Sequence, residues 1–199
     1  MATIGQRVKL AIDHASRGEM DIAIEHACNA IDVTSQRYYS QKKSSNSCFK
    51  QLLSEYSWLI EIMSLRGINL DETTFDNFPI KIFNKIEGKP RFCDLIYHVV
   101  RCGLVHSDTL EKGFSFHDRD AIEIADKELV LPSSILWGLL GVVVFCPANV
   151  NEETDDGYYI SIFGNRFVIN DFWGQEAVAR HVASRYKGPR VTLTNLNFE

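Results

Sequence analysis

The sequence predicts a mainly α fold: an up-and-down helical bundle of four to five helices with a small C-terminal β-hairpin plus helix appendage. Three observations carry this. Apolar residues recur at i, i+3, i+4 spacing through most of the first 150 positions. The run ILWGLLGVVVFC, residues 135–146, is apolar on every side and reads as a buried core helix, too short to span a bilayer. Beyond Pro147 the pattern changes to an acidic loop, NVNEETDDG, and then two β-type runs joined by Gly164 and Asn165, a hairpin signal. The expected division is a helical bundle over 1–150 and an extension over 151–199 packed on it.

Taken in order, residues 3–17 form the first helix, with Ile4, Val8, Ala11, Ile12 and Ala15 on one side and Gly18 ending it. A second runs from Asp21, a candidate N-cap, to Tyr38, with an alanine-rich stripe. One short turn between them requires antiparallel packing. After a polar loop, a single helix over 47–66 presents Phe49, Leu52, Leu53, Tyr56, Leu59, Ile60 and Met63, with Gly67 as its C′ residue. Residues 68–90 read as a long connection with a short helix near 78–85. Residues 91–110 read as one helix ending in a polar turn. Residues 114–116 are extended, and 120–130 carry no clear pattern. Ser133 is the expected N-cap of the 135–146 helix, and Asp171 opens a last helix to Tyr186.

At 199 residues, 45% hydrophobic and 24% charged, the chain has the composition of an ordinary folded domain with a sizeable core. A formal net charge of −5 means that any polyanion site has to be a local basic patch. The five cysteines are scattered and odd in number, which points to free thiols in a reducing cytoplasm. The N-terminus lacks a signal-like apolar region, so a cytoplasmic location without membrane attachment is expected.

Chemistry concentrates in residues 91–110, RFCDLIYHVVRCGLVHSDTL. At 100° per residue, Phe92, Leu95, Ile96, Val99 and Gly103 face the core, flanked by Cys93, Tyr97, Val100 and Leu104. Asp94, His98 and Arg101 form the opposite, polar arc and are natural neighbours of one another. His106 lies about 140° beyond Arg101 on a straight helix, so the two do not meet unless the helix distorts near Gly103 or a second subunit joins them. Such a pair suits phosphodiester cleavage in RNA. The histidine moves a proton near neutrality, and the arginine holds the phosphate and its developing charge. The carboxylates Asp94, Asp108 and Glu111 have no ligand spacing with the histidines, so no metal and no other cofactor is expected. A structural reading stands beside this one: Arg101 paired on a solvated face, and His106 complementing the helix dipole.

The segment VVRCGLVHSDTL resembles the R-x-x-x-x-H motif of the HEPN superfamily. The stretch GEMDIAIEHACNAIDVTSQRYY, with its central Asp32, resembles the long second helix of such domains, and LPSSILWGLLGVVVFCPAN their closing helix. The resemblance covers about residues 1–150. It implies a bundle, often dimeric, and in active members a metal-independent endoribonuclease of toxin–antitoxin, phage-defence or RNA-processing systems. Arg101 and His106 would be the catalytic pair, with Asp94, His98, Cys102 and Ser107 in support. The implied partners are RNA, a second copy of the chain and, in a toxin setting, a nucleotidyltransferase antitoxin. Many active members carry Asn, Asp or His directly after the arginine. Here it is Cys102, a weaker hydrogen-bond donor, and catalytically silent relatives that bind RNA, a nucleotide or a protein form the alternative.

Two further features stand outside the motif. Arg180, His181, Arg185, Lys187 and Arg190 make a basic run that reads as an RNA contact or as dipole compensation. Tyr158, Tyr159, Phe163, Phe167, Phe172 and Trp173 read as a base-stacking platform or as cover for the bundle.

Overall fold

The computed structural model describes residues 2–43, 45–75, 88–101, 114–119, 121–125 and 128–194, and over these the chain is mainly helical with two small sheets. Helix α1 spans Ile4–Ser16 and opens with a capping box. Thr3 Oγ1 accepts from the Gln6 N–H, and Gln6 Oε1 accepts from the Thr3 N–H. Helix α2, Met20–Tyr38, follows the turn at Gly18 and packs back along α1. It begins after Glu19 with no side-chain cap, so Asp21 lies inside its first turn.

The helix expected over 47–66 is two helices, α3 (Asn46–Glu55) and α4 (Ser57–Ser64), broken at Tyr56. Tyr56 is wholly buried, and its hydroxyl donates to Glu176 at 2.6 Å. That tie reaches a distant helix, and sequence periodicity does not report it. Gly67 falls two residues beyond the C-cap Leu65, where its carbonyl accepts from the Val191 N–H. The short helix expected near 78–85 lies outside the described residues.

Helix α5 covers Phe92–Leu95 and passes directly into a π-helical segment, Ile96–Arg101. Strands β1 (Phe114–His117), β2 (Glu123–Ala125) and β3 (Glu128–Pro132) form a sheet in the order β1-β3-β2, β1 parallel and β2 antiparallel to β3. Strand β1 falls on the expected extended piece at 114–116, and β2 and β3 fall largely in the 120–130 stretch that showed no clear pattern. Its buried members among the described side chains are Phe114, Leu129, Leu131 and Pro132. Leu131 and Pro132 are strand residues, and Ser134 rather than Ser133 precedes α6 (Ile135–Phe145).

Helix α6 is the centre of the core. Of its eleven residues only Trp137 is not fully buried, and it packs against α2 and α4. Gly138 faces α4, with the position of a Cβ lying 3.1 Å from Ile60 Cα and against Ser64 Oγ, so the two backbones approach as only glycine allows. A 3₁₀ turn, Pro147–Asn149, ends the helix. Asn149 then donates to Thr34 Oγ1 at 2.9 Å and to Val143 O at 2.8 Å, pinning α6 to α2.

The acidic loop is a latch. Glu152 accepts from the Gly5 N–H at 3.0 Å and from Arg37 at 2.6 Å, Asp155 pairs with Lys9, and Tyr158 donates to Asp13 at 2.7 Å. Strands β4 (Tyr159–Ile162) and β5 (Asn165–Val168) make the expected hairpin, one residue out of phase with the expectation. Its turn residues are Phe163 and Gly164, both at positive φ, and Asn165 pairs with Ile162. Ile160, Ile162 and Phe167 belong to the same buried cluster as α6.

The last helix is also divided, into α7 (Ile169–Phe172) and α8 (Glu176–Ala183). Gly174, at φ +73, separates them while its N–H donates to Val144 O at 2.8 Å. Arg190 finally forks onto the buried Glu61 at 2.8 and 2.7 Å, tying the tail to α4. Among the described residues no helix is long and apolar enough to cross a membrane.

Candidate functional site

Arg101 ends the π-helical segment. Its Nε and Nη2 both donate to Asp32 Oδ2 on α2, at 2.8 and 2.6 Å. The guanidinium also lies over the rings of Tyr97 and Phe49, 5.1 and 5.8 Å from their centroids. Asp32 is 7% exposed. A carboxylate so buried is stable only when a cation or several donors satisfy it, so the two side chains position each other.

The expected grouping of Arg101 with Asp94 and His98 does not form. Asp94 is buried, accepting from Lys50 Nζ at 3.0 Å and from its own helix's first N–H, on Arg91, at 3.0 Å. The reason is helical phase. An i→i+5 turn takes up one residue more than an α turn, which rotates the following side chains by about 100°. That rotation turns Arg101 from the Asp94 row towards α2. The helix is distorted at Ile96–Arg101, and the break expected near Gly103 lies outside the described residues.

His98 is half-buried, with its ring edge-on to Tyr97 at 5.0 Å. Burial lowers its pKa, the Lys50 ammonium lowers it further, and Asp94 opposes both. Burial likewise raises the Cys93 thiol to about 11. Cys48, Cys93 and Cys146 are free thiols. His106, Cys102 and Ser107 lie outside the described residues, as do Asp108 and Glu111. Among the described residues no three His, Cys, Asp or Glu side chains converge to hold a metal ion.

The residues that sequence reasoning missed are informative. Asp32 was noted only as the central carboxylate of the second helix, and its pairing with Arg101, 69 positions away, left no trace in the spacing. Lys50, the partner of Asp94, carried no signal, because a lysine on an amphipathic helix is ordinarily solvated. Phe49 and Tyr97 were legible as core residues, but their service to a guanidinium was not.

The arrangement is that of a fixed arginine on a distorted helix, held by a buried carboxylate on α2. The Rv1289 family profile matches residues 3–199, and the chain belongs to that family. It is 27% identical over 198 residues to the uncharacterized protein Rv1289 of Mycobacterium tuberculosis, a match covering 96% of this chain and 92% of the relative. The uncharacterized protein Mb1320 of Mycobacterium bovis matches with the same identity and coverage. No solved structure matches.

Proposed function

We propose that this protein is a HEPN-like endoribonuclease that needs no metal, with Arg101 and His106 as its catalytic pair. The fold that goes with this reading is an up-and-down bundle of four to five helices, dimeric, with the hairpin and last helices as an appendage. The observation that carries it is the fork from Arg101 to Asp32 at the end of a π-helical turn. A guanidinium held by a carboxylate and two ring faces meets a phosphate without having to reorganise. The π-helical segment ends on Arg101 itself, and π turns are frequent at functional sites. In this reading His106 moves the proton of the 2′-hydroxyl or of the leaving oxygen, and Arg101 carries the charge on phosphorus. RNA is the substrate, and a nucleotidyltransferase antitoxin is the partner that a toxin role brings with it.

The same fork favours a second reading. Asp32 neutralises Arg101, and Cys102 follows it, which suits a silent module that binds RNA or a protein through the same groove. Incubating the purified protein with mixed RNA in EDTA separates the two. The nuclease predicts cleavage that Arg101→Ala and His106→Ala both abolish. Absence of cleavage by the unmutated protein overturns it and leaves the binding module.

A further inference from the structure

The chain as a whole is acidic, at −5. Where its described surface carries arginines, most are answered by carboxylates: Arg37 by Glu152, Arg119 by Glu123, Arg180 by Glu176 and Arg190 by Glu61. One groove differs. Between the β4–β5 turn and the end of α8 lies an open pocket of about 540 Å³. Phe163, Arg166, Arg185, Tyr186 and Lys187 line it, and among the described residues no carboxylate does. Arg166 lies over the Tyr159 ring at 4.5 Å, and Arg185 donates to His181 Nε2 at 2.9 Å, so neither is neutralised by those contacts. Three cations gathered in this way on an acidic protein favour a polyanion.

The aromatic half of the groove narrows the choice. Phe163 and Tyr186 are stacked, with planes 7° apart and centroids at 5.5 Å, and both are half-exposed. Phe163 sits in the hairpin turn at φ +51. A two-residue turn ordinarily takes asparagine, aspartate or glycine there, and a bulky side chain is out of place. This backbone sets the phenyl ring against Tyr186, with the Arg66 guanidinium 5.4 Å from its centroid. Rings set among backbone-tracking cations are how proteins hold unpaired bases, whereas a duplex or a simple polyanion offers no base faces to stack.

We infer that the groove between the β4–β5 turn and α8 binds single-stranded RNA, with Arg166, Arg185 and Lys187 on phosphates and the Phe163–Tyr186 pair against a base. The choice of RNA over other strands rests on the function proposed above. The groove takes none of its lining from residues 91–101, so it is a second site that would hold the substrate strand rather than cut it.

The test is fluorescence anisotropy with labelled 2′-O-methyl oligouridine, which lacks the attacking hydroxyl and stays intact on the unmutated protein. Binding is expected to weaken with salt with a log–log slope of about −2, three cations at roughly 0.7 each. The triple variant Arg166→Gln, Arg185→Gln, Lys187→Gln should flatten that slope. Phe163→Asn, which suits the turn backbone, should keep the melting temperature and weaken binding about tenfold. No binding by the unmutated protein, or binding that the triple variant leaves intact, overturns the inference. So does equal binding of a duplex or an acidic peptide with Phe163→Asn without effect. Cleavage of ordinary RNA in EDTA is read separately. Binding without cleavage removes the nuclease and keeps the groove, and cleavage without binding at the groove does the reverse.

Discussion

Arg101 and Asp32, 69 positions apart in the chain, share a single carboxylate oxygen through two N–H groups at 2.8 and 2.6 Å. Neither residue's own helix supplies that partner. The pair fastens the π-helical segment to α2, and it decides where the motif arginine points.

Asp32→Ala should therefore cost stability as well as function. Leaving a largely buried guanidinium without its carboxylate is worth about 2 kcal/mol. Asp32→Asn, which keeps the shape and one acceptor, should cost less. Urea unfolding of the two variants checks the order. If the nuclease reading holds, both should also lower cleavage of RNA, because the arginine is no longer held.

Tyr56→Phe removes the hydroxyl that bridges the α3–α4 break to Glu176 at 2.6 Å. A buried bond to a charged group contributes about 1.5–3 kcal/mol. A loss of about that size in chemical denaturation is expected, with the far-UV helical signal unchanged. Glu176→Gln in the double variant should not restore it, because it also removes the charge that pairs with Arg180 at 2.6 Å.

Gly138→Ala tests the close approach of α6 to α4. The added methyl meets Ile60 Cα at 3.1 Å and Ser64 Oγ closer still. Overpacking of this kind costs about 1–3 kcal/mol, which outweighs the usual gain in helix propensity from glycine to alanine. A lowered urea midpoint is expected, and an unchanged or raised one would show that α4 can give way.

Stability should fall with acid through the histidines. Burial holds His26 below the ordinary value of 6.5, with the neighbouring His14 adding to the effect, and burial does the same to His98. Both groups resist protonation in the fold, so as pH drops through about 6.5 the unfolded chain gains protons first. The contribution is complete above that pH and is lost below it. Melting temperatures across this window should decline towards acid, and His26→Gln should flatten the decline.

The sequence by itself determined the helical character of the chain, the buried α6 and the hairpin. Each of these is a local property: a period or a turn. Asp32 stood in it only as the central carboxylate of the second helix, with nothing to mark its partner. Only tertiary structure decided the rest. The helix over 47–66 divides at Tyr56, whose hydroxyl reaches Glu176 far along the chain. The last helix divides at Gly174, whose positive φ aims its N–H at Val144 O. The parallel pairing of β1 with β3 has no local signature, since strand partners are chosen by burial and not by spacing. The extra residue in the π turn rotates Arg101 from Asp94 to Asp32, and periodicity counted at 100° per residue cannot anticipate a change in the period itself.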